Sequence, residues 1–83
     1  MTHKLDEVIA MIDTLLSDTS IPRNIRKTLS EAKDRLLAKE ETNVKVSAAI
    51  YMIGSVSEDI NTPAHARTQI WTIMSALESL KSQ

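Results

Sequence analysis

The sequence predicts an all-α fold, a compact four-helix bundle built from two helix-turn-helix units, and three observations carry the expectation. Apolar residues recur at steps of three and four through most of the chain, the spacing that gathers side chains on one face of a helix. A single Gly, two Pro and no Phe disfavour a strand-rich fold, whose hairpins need Gly and whose sheets favour aromatics. Positions 41 residues apart match in type along both halves, a period that resembles the HEAT class of helical repeats. Two such units are too few for a solenoid and enough for a bundle.

Leu5, Val8, Ile9, Ile12, Leu15 and Leu16 form the apolar face of a first helix over about residues 4–17, with Asp6, Glu7 and Asp13 toward its edges. Pro22 opens a second helix in its first turn, where its fixed φ fits and its missing N–H costs nothing. That helix runs to about residue 39, with Ile25, Leu29, Ala32 and Leu36 inward. The polar stretch "EETN" ends in two candidate N-caps, Thr42 and Asn43, for a third helix over about residues 44–58. Its core, "VSAAIYMIG", is apolar on nearly every side, so the third helix is expected to be the most buried. Gly54 within it costs about 1 kcal/mol relative to Ala, a cost usually associated with close approach of another backbone. Thr62 as N-cap and Pro63 in the first turn start a fourth helix, with Ala66, Ile70, Ile73, Leu77 and Leu80 inward and fraying near Gln83.

Shifting the chain by 41 residues aligns Ile9 with Ile50, Met11 with Met52, Asp18 with Asp59, Pro22 with Pro63, Arg26 with Arg67 and Leu36 with Leu77. "DTSIPRNIR" and "DINTPAHAR" thus set Asp, Pro and Arg at one spacing twice. Arg26 and Arg67 at helix starts suit anion binding. A competing carboxylate beside each Arg, and the lack of a Gly-rich loop, favour instead a structural clasp across the turn, Asp18 to Arg26 and Asp59 to Arg67.

Eighty-three residues make one domain, 1–83, near the size where a core only just sustains a monomer, so docking to a partner or to a second copy is expected. A net charge of -1 disfavours nucleic acid and anionic membrane as default partners. The absence of Cys removes disulfide, thiol and thiolate-metal chemistry. Asp6, Glu7 and Asp13 interrupt the N-terminal apolar stretch as a signal peptide core would not, and no apolar run nears the roughly 20 residues of a membrane span. The expected setting is cytoplasmic, with the chain unprocessed.

"DTSIPRNIR" together with "PAHARTQIW" resembles uncharacterised protein family 0147, small helical proteins of archaea, along nearly the whole chain. The resemblance implies an all-helical domain in an archaeal cytoplasm and transfers no catalytic residue.

Little enzyme chemistry is legible. The histidines are His3 and His65; His65 has no acid at the helical spacing of a metal site or general-base pair, and it starts a helix, where the dipole opposes positive charge. Ser17, Ser20, Ser47, Ser55 and Ser57 lie in no nucleophile motif. No cofactor or metal is implied. Helix 2 carries Arg23, Arg26, Lys27, Lys33, Arg35 and Lys39 against Glu31 and Asp34, a local +4 and the best case for nucleic-acid binding. Helix 1 carries a local -3 beside it, and no aromatic interleaves the basic residues for base stacking. A solvated helical face is the simpler reading.

Trp71 and Tyr51 replace Ser30 and Ala10 of the first half. Trp71 projects about 100° from Ile70, beside Arg67, Ser75 and Glu78, so it is expected to be covered by packing between the hairpins or by another chain. Met11 and Met52 are expected to line the same seam. The functional expectation is a non-catalytic helical protein–protein interaction module, a homo-oligomer or small assembly subunit. The alternatives are a weak nucleic-acid binder using helix 2 and an enzyme whose site cannot be read from sequence.

Overall fold

The computed structural model describes residues 3–81, apart from the side chain of His3, and contains four helices in the expected order. They are α1 (His3–Leu16), α2 (Arg23–Leu37), α3 (Thr42–Ser57) and α4 (Ala64–Lys81). The expected fraying near Gln83 and the role of His3 fall outside the described residues. The long dimension of 33 Å matches the roughly 27 Å of an 18-residue helix plus its turns, so the helices lie side by side along it. α1 contacts α2 and α4, and α3 contacts the same two, while the diagonal pairs stay apart. Each helix thus has two neighbours around one core.

The three- and four-residue spacing decides what fills that core. Val8, Ile12 and Leu15 come from α1, and Ile25, Leu29, Ala32 and Leu36 from α2. Val46, Ala49, Ile53 and Val56 come from α3, and Ala66, Ile70, Ile73 and Leu77 from α4, all at most 4% exposed. Ile21 in the first turn is buried as well. The buried positions other than Val46 fall in pairs 41 apart: 8 with 49, 12 with 53, 15 with 56, 21 with 62, 25 with 66, 29 with 70, 32 with 73 and 36 with 77.

The burial expected of α3 holds, with five of its 16 residues exposed against seven of 15 in α2 and nine of 18 in α4, but it does not extend to Val44 and Tyr51. Its apolar character exceeds what two neighbours can cover. Several local expectations are corrected. Pro22 occupies the N-cap position, with φ -55° and ψ 149°, and α2 begins one residue later. Glu41, not Thr42 or Asn43, caps α3, and its side chain makes no capping bond. Thr62 does not cap α4. Its hydroxyl is buried and donates backward to the Val56 carbonyl at 2.7 Å, closing the end of α3. Gly54 meets no foreign backbone, because a Cβ there would touch only the Met74 Cε, at 3.5 Å.

Candidate functional site

The two hinges lie at one end of the molecule and are built alike. Each begins with an Asp whose carboxylate accepts the N–H two residues on, Ser20 at 2.9 Å in the first and Asn61 at 2.8 Å in the second. The same Asp carbonyl then accepts the N–H three residues on, from Ile21 or Thr62, at 3.1 Å. This side-chain-closed turn reverses the chain without glycine, and among the described residues no φ is positive. Pro follows, and its carbonyl receives the first helical N–H of Arg26 or Arg67.

The expected Asp to Arg clasp is corrected by these bonds. The carboxylates are directed at the turn N–H groups, and the guanidiniums bind backbone carbonyls instead. Arg26 Nε donates to the Ile21 carbonyl at 3.0 Å. Arg67 donates through Nη2 to the equivalent Thr62 carbonyl at 3.3 Å and to Asp59 at 3.1 Å, and through Nε to Ser57 at 3.0 Å. The last carbonyls of a helix lack intrahelical partners, and a fork of donors one turn into the next helix is placed to satisfy them.

The hinges also meet each other. His65 Nε2, in the first turn of α4, lies 2.8 Å from Asp18 Oδ2 and 3.4 Å from Ser20 Oγ. Ser20 Oγ donates to Asp18 Oδ1 at 2.6 Å. The Ser20 hydroxyl and backbone, together with His65, hold the Asp18 carboxyl down at about 2. Serine, histidine and aspartate here do not form a nucleophilic relay. A relay needs the acid on one ring nitrogen and the hydroxyl on the other, whereas both groups face Nε2 and the serine proton goes to the carboxylate. The cluster ties the start of α4 to the first hinge. Sequence spacing alone missed it, because Asp18 and His65 are 47 residues apart and meet only when the two turns share an end.

On the long sides of the molecule the two hairpins differ. In the first, Lys33 of α2 reaches across to Asp13 of α1 at 2.6 Å, closing the outer seam with an ion pair. The positions 41 further on are Gly54 and Met74, whose side chain lies against Gly54. Where Ala10 and Ser30 stand on the first hairpin, the second carries Tyr51, 81% exposed, and Trp71, 57% exposed. The expectation that packing between the hairpins covers these aromatics is therefore corrected: both remain more than half exposed. A depression of about 340 Å³ lies over Gly54, walled by Ile50, Tyr51, Ser55 and Glu58.

Met11 and Met52 pack partly buried against the core, away from this seam. Met11 lines a groove of about 190 Å³ between α1 and α4 with Thr14, Gln69 and Thr72, and Met52 projects from α3 on the side opposite Gly54. Of the basic residues of α2, Lys33 is bound to Asp13, Arg35 to Glu40 at 2.8 Å, and Arg26 to its turn. Among the described residues no three His, Asp or Glu side chains converge as a metal site, and no helix is long and apolar enough to cross a membrane.

Residues 1–80 match the model of the uncharacterised protein family UPF0147. The UPF0147 protein MJ1419 of Methanocaldococcus jannaschii is 44% identical over 78 residues, covering 93% of this chain and 84% of its own. A crystal structure of a UPF0147 protein from Thermoplasma acidophilum superposes with a TM-score of 0.91 at 32% identity, over 95% of this chain and 94% of that one. That of the protein MMP1188, described as of unknown function, gives 0.88 at 42% identity, over 92% and 88%. Likeness of this extent, in sequence and in backbone alike, makes the chain a member of the UPF0147 family.

Proposed function

We propose that this chain is a non-catalytic helical interaction module whose binding face is the outer surface of the α3–α4 hairpin. The observation that carries the reading is the placement of Trp71 and Tyr51. Both stand largely in solvent although the core beneath them is complete without them. Exposed large aromatics clustered on one face are the usual anchors of protein contacts. The two halves are read as copies of one helix-hinge-helix unit, which the pairing of buried positions 41 apart and the matched hinge bonds support. On that reading the second copy has exchanged an ion-paired seam for an apolar one. The setting remains the cytoplasm expected from the sequence. The engagement of Lys33, Arg35 and Arg26 with protein groups supports a structural α2 over a phosphate-binding one.

The test is affinity capture from the native cell with wild-type bait beside Trp71→Ala and Tyr51→Ala baits, all shown by circular dichroism to be folded. A protein, this chain included, retained by the wild type and lost with either substitution supports the reading. Identical captured sets from all three baits would remove it.

A further inference from the structure

We infer that the partner of this face is a second copy of the chain, in a twofold dimer that seats Trp71 of each copy in the depression over Gly54 of the other. The inference rests on the interaction-module reading above and adds the occupant. A twofold interface joins one patch to itself, so the patch must hold both a projection and the recess that receives it. This face has both. Met74 packs at Gly54, which fixes the side of α3 that faces α4, and Gly54 and Trp71 both lie toward the shared outer seam of the two helices. Trp71 is the projection, and it does not fill the recess of its own chain: a Cβ on Gly54 would find only Met74 within 4 Å, and the walls of the depression come from α3 and its C-cap Glu58. The axis that exchanges the two features passes between α3 and α4 at the level of Gly54. It also brings Tyr51 of one copy level with Glu58 of the other, since these residues lie about one turn to either side of Gly54 and both wall the depression. The Tyr51 hydroxyl then has a carboxylate to donate to.

The two aromatics supply the larger part of the area. A large aromatic side chain covers about 150–250 Å² when buried, so the exposed parts of Trp71 and Tyr51 offer roughly 300 Å² per copy. Two copies give roughly 600 Å² before Ile50, Met74 and Glu58 are added, more than half of the about 1,000 Å² that a specific interface requires. A net charge of -1 opposes such pairing only weakly.

Analytical ultracentrifugation of the full chain across micromolar to submillimolar concentration tests the dimer. Wild type should show a monomer–dimer equilibrium. Trp71→Ala should weaken it by about thirtyfold or more, the loss typical of a central aromatic anchor. Gly54→Gln fills the recess with a good helix former on the exposed side of α3. It should weaken the dimer comparably, with helicity and thermal midpoint kept at or above wild type. A wild-type monomer throughout overturns the second-copy inference, and Trp71-dependent capture of a different protein would then leave the module reading standing. A dimer unaffected by both substitutions overturns the inference by placing the contact on another face.

Discussion

Arg67 and Arg26 stand at equivalent hinge positions, but the structure makes them unequal. Arg67 satisfies the carbonyls of Ser57, Asp59 and Thr62, while Arg26 satisfies that of Ile21 alone. Replacing each by Met keeps the aliphatic stem and removes the donors. A hydrogen bond from a charged donor contributes about 1.5–3 kcal/mol when well shielded. These side chains are half-buried, so water recovers part of each loss and the three bonds of Arg67 do not add. Arg67→Met should therefore cost about 2–3 kcal/mol and Arg26→Met about 1 kcal/mol. Urea unfolding of both variants reads the difference directly, and the thermal midpoint of a domain this small should fall about 4–8 °C per kcal/mol. Equal costs for the two would refute carbonyl satisfaction as what the arginines do. A double-mutant cycle between Asp18 and Arg26 should be additive within about 0.5 kcal/mol, because carboxylate and guanidinium have separate partners. Coupling above about 1 kcal/mol would restore the Asp to Arg clasp.

Two further outcomes follow from the same geometry. The Asp18 carboxyl titrates at about 2 in the folded chain against an ordinary 3.8, so its contribution to stability is present above about 4 and is lost as pH falls toward 2. Asp18→Asn should flatten the acid limb of stability in that window, measured by urea midpoints at stepped pH, and an unchanged limb would contradict the Ser20 and His65 bonds as its cause. Gly54→Ala should raise stability by about 0.5–1 kcal/mol, since the residue is helical and the added Cβ meets Met74 at an ordinary 3.5 Å. Destabilisation in differential scanning calorimetry would mean that the seam is tighter than the structure shows.

Helices and core were legible because both follow from the 3.6-residue period. Ile25, Leu29, Ala32 and Leu36 can share only one face, and that face is the buried one. Hinge positions were legible from Asp, Pro and Arg, but their bonds were not. An Asp beside an Arg suggests an ion pair, yet the nearest unsatisfied groups in a tight turn are backbone N–H and C=O, and these take both side chains. Thr62 was read as a cap for the same local reason and serves the preceding helix instead. His65 with Asp18 required knowing that the two turns share an end. The apolar content of α3 made it legible as the most covered helix, but not that Tyr51 on it stands exposed.

The exposure of Tyr51 bears on function. A helix with two neighbours has room inward for about four residues in four turns, which α3 supplies with Val46, Ala49, Ile53 and Val56. Tyr51 lies opposite that stripe, where the fold gains nothing from an aromatic ring. The core constrains both halves alike, so buried positions 41 apart carry similar apolar groups, Ile21 with Thr62 excepted. It does not constrain the outer seam. There Asp13 and Lys33 pair in one half, while Gly54 and Met74, flanked by Tyr51 and Trp71, occupy the other. An exposed ion pair contributes little to stability, so giving it up costs the fold little, whereas two aromatics left more than half exposed add a solubility burden. On the proposed dimer the return comes from the second chain, whose recess over Gly54 would receive the indole.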